Sequence, residues 1–441
     1  MNERINRRHF LQTTARAAGL AGLAGLMPWN QLWADDPLPA EDLPNIILLL
    51  SDDQTHEEVG YAGSFVETPV LDEMAKTGLR FDRFYSPAAS CAPSRAAFIT
   101  GRTPNRTGVP AITYPIDRRE RCLPHLFRER GYFTAHVGKW HLGNEEQGGP
   151  IASGYEAAAY SGNKFDDNPR FRHENCDKID HMGESSEVAI RYALHQARRA
   201  RAAGKPFFIT VWFGSPHPPY GAAASFRDRY PDRGEEERKW AAEVTGMDHA
   251  IGMLRQELDG MGVRDDTLLW FSGDNGKPKG SISRSGIRVP SVAEWPSRWR
   301  KPRAITAPCS TLDYLPTFAS MLGLPASADG RPIDGIDVRG LLDDPQTARK
   351  TPLPFWDPGG KHTGQPDRLW QGTLGLVGQN HELYIRDNKN RLLDLQQDPS
   401  GEQDFAGSDP KQVAAMRASL ETFQRSVMRS VAGEDYLAPA E

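Results

Sequence analysis

Strand-length apolar runs alternate along this chain with stretches of helical spacing, and four of the runs end in polar residues. Asn45-Ile46-Ile47-Leu48-Leu49-Leu50 runs into Ser51-Asp52-Asp53, and Thr267-Leu268-Leu269-Trp270-Phe271 into Ser272-Gly273-Asp274-Asn275-Gly276. Phe207 to Phe213 leads to Ser215-Pro216-His217, and the shorter run Phe133 to Val137 leads to Gly138-Lys139-Trp140-His141. Such runs between helical stretches predict a largely parallel, buried sheet of βαβ units. Ligands of open α/β sheets bind outside the carboxyl ends of the strands, and all four runs deliver polar groups to that edge. Towards the C-terminus the pattern changes. Glu382-Leu383-Tyr384-Ile385 and Arg391-Leu392-Leu393-Asp394-Leu395 flank the turn residues Asp387-Asn388-Lys389-Asn390, which predicts a hairpin. Val413, Met416, Leu420, Phe423, Val427 and Val431 then recur at helical spacing and predict a closing amphipathic helix. The charged stretch Arg227 to Lys239 predicts the cap of a surface helix.

Two local patterns carry candidate chemistry. In Cys91-Ala92-Pro93-Ser94-Arg95, Pro93 suits a first helical turn, where its missing N–H costs nothing, and Gly101 is placed to end the helix. Cys91 therefore falls at the positive end of a short helix with Arg95 one turn along, a setting that favours an anion or an attacking nucleophile. The second pattern is Asp52, Asp53, Asp274 and Asn275, three carboxylates and an amide. An all-oxygen set suits a hard divalent cation, Ca²⁺ or Mg²⁺, rather than zinc. Carboxylates gathered without a cation would repel by roughly 4 kcal/mol per close pair at an effective dielectric of about 20.

The Cys91 stretch, running on to Thr100-Gly101-Arg102, resembles the signature of the formylglycine-dependent (type I) sulfatases, members of the alkaline-phosphatase-like superfamily. Gly138-Lys139-Trp140-His141-Leu142-Gly143 is similar to another motif of that family, and Ser215-Pro216-His217 to its next histidine. Lys279-Gly280-Ser281-Ile282 with Gly286 to Pro290 resembles the segment bearing a sulfate-binding lysine. Lys277 is a rival there, but alignment on Gly286 to Pro290 favours Lys279. Ile333-Asp334-Gly335-Ile336-Asp337 looks like the segment closing the large domain, and the terminal hairpin with Asp398-Pro399 extends the likeness almost to the end.

The resemblance implies an α/β/α sandwich around a mixed, mostly parallel central sheet, over residues 43–345, and a small C-terminal antiparallel subdomain over 346–441. It implies that Cys91 is matured to 3-oxoalanine (formylglycine) by a formylglycine-generating enzyme. It implies Ca²⁺, with Mg²⁺ the other hard cation that fits, held by Asp52, Asp53, Asp274, Asn275 and the matured Cys91. Arg95, Lys139, His141, His217 and Lys279 are the further catalytic groups it assigns. The implied activity is hydrolysis of a sulfate monoester, by default on a sulfated carbohydrate. A phosphonate monoester or phosphodiester hydrolase using the same aldehyde is one alternative, and a non-catalytic sulfated-glycan-binding protein is another. One departure concerns substrate: Arg284-Ser285 stands where relatives usually have Glu-Gly. Arg284 either binds a second anionic group on the substrate or reshapes the loop. His173, His181 and the Trp356 to Arg368 segment with His362 lie in loops peculiar to this chain and are candidate specificity residues.

Composition adds bounds. With 441 residues, 38% hydrophobic and 25% charged, the chain is of ordinary globular type, and one or two large α/β domains fit its length. A net charge of −5 argues against a nucleic-acid binder. It leaves an anionic substrate open, because screening over roughly 8–10 Å makes local positive patches independent of the total. Arg7-Arg8-His9-Phe10-Leu11, the uncharged run Ala17 to Met27 and the small-residue site at Leu32-Trp33-Ala34 look like a twin-arginine (Tat) export signal over residues 1–34. The expectation is a periplasmic or extracellular protein with no membrane span in the mature chain, since that run falls short of the roughly 20 residues a span needs. Cys91, Cys122, Cys176 and Cys309 show no zinc spacing, and no disulfide on which the fold depends is expected.

Overall fold

The structure is a computed structural model that describes residues 38–39 and 42–436, apart from 164–166, 176, 222, 328, 345 and 360–365. The export segment, Cys176 and His362 lie outside the described residues.

A ten-stranded sheet organises the larger part of the chain. Its order is Arg303–Ile305, Leu79–Phe81, Ser291–Glu294, Thr267–Gly273, Asn45–Ser51, Phe207–Trp212, Phe133–Lys139, Ala157–Ser161, Arg170–His173, Lys178–Asp180. The five strands from Thr267–Gly273 to Ala157–Ser161 are mutually parallel, and antiparallel pairs flank them on both sides. The four apolar runs with polar ends are thus four adjacent parallel strands. Ser51 pairs with Gly273, Leu50 with Trp212 and Gly138 with Trp212, so their carboxyl ends finish nearly level.

Alternation along the central strand explains the sandwich. Ile46, Leu48 and Leu50 pack against the helices Cys91–Thr100, Leu123–Glu129 and Tyr314–Met321, while Ile47 and Leu49 pack against Pro69–Thr77, Ser185–Ala202 and Glu235–Gly260. The helix Glu235–Gly260 opens on Glu235, Glu236 and Glu237, which complement its positive end.

Near the C-terminus, Leu353–Asp357, Thr373–Val377, His381–Arg386 and Lys389–Asp394 form a separate antiparallel sheet. The hairpin turn is Asp387-Asn388, both at positive φ (50° and 58°), as a two-residue turn matched to strand twist requires. The helix Pro410–Val431 buries Val413, Met416, Leu420 and Val427 on one face of this sheet. The other face meets Tyr85, Ile282 and Ile287 of the larger layer. Glu382, fully buried, joins the two parts: it accepts from the Tyr85 hydroxyl (2.6 Å), the Tyr384 hydroxyl (3.0 Å) and Arg83 (3.1 Å). Among the described residues, Cys91, Cys122 and Cys309 are free and buried, and no helix is long and apolar enough to cross a membrane.

Candidate active site

Cys91 is the first residue of a ten-residue helix that Gly101 ends at φ 66°, and every residue of that helix is buried. The helix lies under the strand ends, so the thiol meets the carboxylates that follow Leu50. Cys91 Sγ is 3.3 Å from Asp52 Oδ1 and 3.8 Å from Asp53 Oδ1, and Lys279 Nζ approaches it to 3.8 Å. Burial, reinforced by Asp52, raises the thiol pKa well above its ordinary value even with Lys139 nearby. An unmodified Cys91 is therefore a protonated thiol and a poor nucleophile.

Around it the charges interleave. Arg95 donates through Nε (3.1 Å) and Nη2 (2.7 Å) to Asp274 Oδ2 and through Nη1 to the Lys139 carbonyl (3.1 Å), and its guanidinium lies over the Trp212 ring at 5.1 Å. Lys139 Nζ bonds Asp52 Oδ2 at 2.5 Å. Burial by itself would raise Asp52, but Lys139, Arg95 and His217 outweigh it and hold the carboxyl below the ordinary carboxylate range. Burial and the neighbouring Asp52 push Asp274 up to about 7 against the pull of Arg95. Lys279 Nζ pairs with Asp53 Oδ2 at 2.5 Å and stands 2.9 Å from His217 Nε2. Lys277 turns elsewhere, to Glu58 (2.8 Å) and the Trp240 ring.

Two non-glycine residues, each two positions beyond a strand end, adopt left-handed backbone, Asp53 at φ 62° and His141 at φ 63°. Each such residue costs on the order of 1–3 kcal/mol and persists because the surroundings hold it. Asp53 is held by its own N–H, which donates to Asp274 Oδ1 (3.0 Å). His141 is largely buried, its Nδ1 has no hydrogen-bond partner among the described residues, and burial together with Lys139 and Arg95 lowers its pKa to about 3. It is a neutral imidazole with an available lone pair.

The carboxylates can be tested for a cation. Asn275 donates Nδ2 to Asp53 Oδ1 (2.7 Å) and to the Gly276 carbonyl (3.0 Å), yet its buried Oδ1 has no partner among the described residues. An orphaned amide oxygen beside carboxylate oxygens is what a hard cation satisfies. Ligand atoms of Asp52, Asp53, Cys91 and His217 lie within 4.8 Å of one another. Asp274 has its oxygens engaged by Arg95 and by the Asp53 N–H. The residues present fit Ca²⁺ or Mg²⁺.

Other sequence candidates go elsewhere. Arg284 does not reach the site: it donates to the Ser400 carbonyl and lies 3.7 Å from Glu382, so it fastens the loop to the small sheet. His173 and His181 bond each other (Nε2···Nε2 3.3 Å), and His173 Nδ1 also meets the Tyr192 hydroxyl (3.3 Å). Trp356 is buried and donates to the Gln371 carbonyl, and Arg368 is exposed. The loop carrying Lys279 is held tightly at Gly276, where a Cβ would fall 2.0 Å from the Ser285 carbonyl oxygen. Sequence reasoning missed Glu243, which fixes the loop before His217 by accepting from Ser215 Oγ (2.5 Å) and the Gly221 N–H (2.6 Å). It also missed Arg170, Arg172 and Lys178, which border a cavity beside His141. Neither carried a motif signal.

The Sulfatase family model matches residues 44–324. The N-acetylgalactosamine-6-sulfatase of Canis lupus familiaris is 30% identical over 350 residues, 67% of this chain and 65% of that protein. The ulvan-active sulfatase of Formosa agariphila is 28% identical over 68% of this chain and 65% of its own length. The chain thus spans somewhat less than two thirds of these relatives. Among solved structures, Ps i-CgsB in complex with k-i-k-neocarrahexaose superposes with a TM-score of 0.79 at 23% identity, covering 87% of this chain and 93% of the other. The phosphonate monoester hydrolase of Agrobacterium radiobacter shares the fold at a TM-score of 0.62 and 19% identity, over 88% and 96% of the two chains.

Proposed function

This chain belongs to the sulfatase family, and on that premise we propose that it hydrolyses a sulfate monoester on a sulfated carbohydrate, with matured Cys91 as nucleophile. The observation that carries the reading is the position of Cys91: at a helix N-terminus, 3.3 Å from Asp52 and 3.8 Å from the Lys279 ammonium. Its thiol is held protonated there, which makes sense of a residue that must be converted before it can attack.

As formylglycine hydrate, residue 91 would supply one hydroxyl to attack sulfur and a second whose deprotonation expels sulfate. Asp52, Asp53, Asp274 and Asn275 would hold the cation, which when bound polarises the sulfuryl oxygens and favours the ionised hydroxyl. The chain's own groups do the rest. Lys139 and Lys279, with Arg95 fixed by Asp274, place positive charge where sulfuryl charge develops. Neutral His141 takes the proton of the second hydroxyl. His217 and Lys279, 2.9 Å apart, deliver a proton to the leaving alcohol. Maturation by a formylglycine-generating enzyme and Tat export to the periplasm or beyond complete the reading.

Mass spectrometry of the tryptic peptide Phe84 to Arg95 tests it directly. An aldehyde mass at Cys91, with sulfate release from 4-nitrophenyl sulfate exceeding cleavage of an aryl phosphodiester, is expected. Aldehyde with faster phosphodiester cleavage would reassign the substrate. Aldehyde-bearing protein without either activity would leave a sulfated-glycan binder.

A further inference from the structure

A cavity of about 450 Å³ opens beside His141. Its size falls within the range for small-ligand pockets. Tyr114, Asn144 and Gln147 contribute polar groups from the loops before and after His141, and Arg170, Arg172 and Lys178 border it on the other side. Among the described residues of its wall there is no carboxylate.

The three cations share a face by strand geometry. Arg170 and Arg172 are two residues apart on Arg170–His173, and Lys178 lies directly across from Arg172 on Lys178–Asp180. Arg170 pairs with Asp180 at 3.3 Å, but with side chains 63% and 72% exposed this surface ion pair is weak and open to exchange. Phe171, His173 and Ile179 alternate to the opposite face, where His173 meets Tyr192. Three cations and one carboxylate, Asp180, thus share the cavity side of the hairpin, a net positive face, while its aromatic side packs inward. His141 belongs to both the cavity wall and the charged cluster of Lys139, Arg95 and Asp52. A sugar whose ester reaches Cys91 therefore extends past His141 into this space.

We propose that the cavity binds the sugar carrying the scissile ester and that Arg170, Arg172 and Lys178 hold a second anionic group of the substrate. That group is a carboxylate or a further sulfate on the same ring or its neighbour. The inference rests on the sulfatase reading above and specifies its substrate class as polyanionic. Neutral loop groups serve the sugar hydroxyls, and the hairpin reads the extra charge.

The test uses matured, full-length protein and 4-nitrophenyl sulfate turnover as the reporter. Competing ligands are three hexose monosulfates: one otherwise neutral, one with a C6 carboxylate, and one with a second sulfate. Inhibition constants are measured for wild type and for the double variant Arg170→Gln/Lys178→Gln, both at exposed positions where folding is little affected. The expected result is about tenfold tighter inhibition by at least one dianionic sugar than by the neutral one. That preference should shrink on adding salt and disappear in the double variant. Which dianion is preferred identifies carboxylate or sulfate as the recognised group. Equal inhibition by all three sugars, or a preference that survives in the double variant, overturns the subsite while leaving aryl sulfate turnover, and with it the sulfatase reading, intact. No turnover of 4-nitrophenyl sulfate by aldehyde-bearing protein overturns both.

Discussion

Lys279 Nζ and His217 Nε2 lie 2.9 Å apart, which fixes the state of both. An ammonium only donates, so Nε2 must accept, and the imidazole proton resides on Nδ1, 2.5 Å from the Pro218 carbonyl. His217 is neutral with its lone pair towards the lysine. Burial lowers its pKa, Lys139 and Lys279 lower it further, and Asp52 and Asp53 oppose them.

A pH profile follows. As pH falls through the lowered His217 pKa, Nε2 gains a proton and the contact with Lys279 turns repulsive. kcat/KM should therefore hold near neutrality and decline on the acid side, below the ordinary histidine value of about 6.5. His141, at about 3, titrates further into acid. His217→Gln should remove the first decline and cut kcat by roughly 10²–10³-fold. An unaltered acid limb in that variant would assign it to another group.

Replacing the nucleophile should separate chemistry from folding. Cys91→Ala is expected to abolish turnover, by on the order of 10³-fold or more, with a thermal midpoint within a few degrees of wild type. Only a small buried side chain is lost, and no fold-supporting bond of the thiol is broken beyond its contacts with Asp52 and Asp53. Substantial residual sulfate release would sink the assignment of Cys91.

Cation binding is visible without any assay of activity. At Ca²⁺ about 100-fold above its dissociation constant, stabilisation of about 2.7 kcal/mol is expected and should appear as a raised melting temperature. Asn275→Ala removes the orphaned amide oxygen and should shift the Ca²⁺ midpoint of that rise to higher concentration. A melting temperature indifferent to Ca²⁺, Mg²⁺ and chelator would contradict a cation site at these residues.

Glu382→Ala tests the joint between the two sheets. It leaves Arg83 without its buried carboxylate and takes the acceptor from Tyr85, at a cost on the order of 3–5 kcal/mol. The Lys279 loop leans on the same small sheet through the Ile282 N–H and Thr373 Oγ1 (3.2 Å), so KM should rise along with the loss of stability. Urea denaturation and steady-state kinetics would show both. A stability change below about 1 kcal/mol would mean that Glu382 is not the joint.

Much of this was legible in the chain. The central strands are continuous apolar runs, and their polar ends become neighbours because parallel strands finish on one edge. The Cys91 helix announced itself through Pro93 and Gly101, and the hairpin through Asp387-Asn388. The flanking strands were not legible. Leu79–Phe81 and Lys178–Asp180 have three residues each, too few to show a period, and Arg170–His173 is mostly charged. Arg284 illustrates a second limit. Whether it faced substrate or scaffold depended on Glu382 and Ser400, distant in sequence and brought near only by docking of the small sheet. His173 and His181 read as candidates for specificity, but strand alternation turned them inward and gave the cavity to Arg170 and Arg172 instead.

The helix that begins at Cys91 is buried from end to end, and Cys91 itself is only 3% exposed. An enzyme that is to alter this side chain has to reach it, and the folded protein leaves almost none of it accessible. If Cys91 is matured as proposed, modification and folding compete in time, and a chain that folds first would keep its thiol. The active fraction of a preparation would then record which event came first.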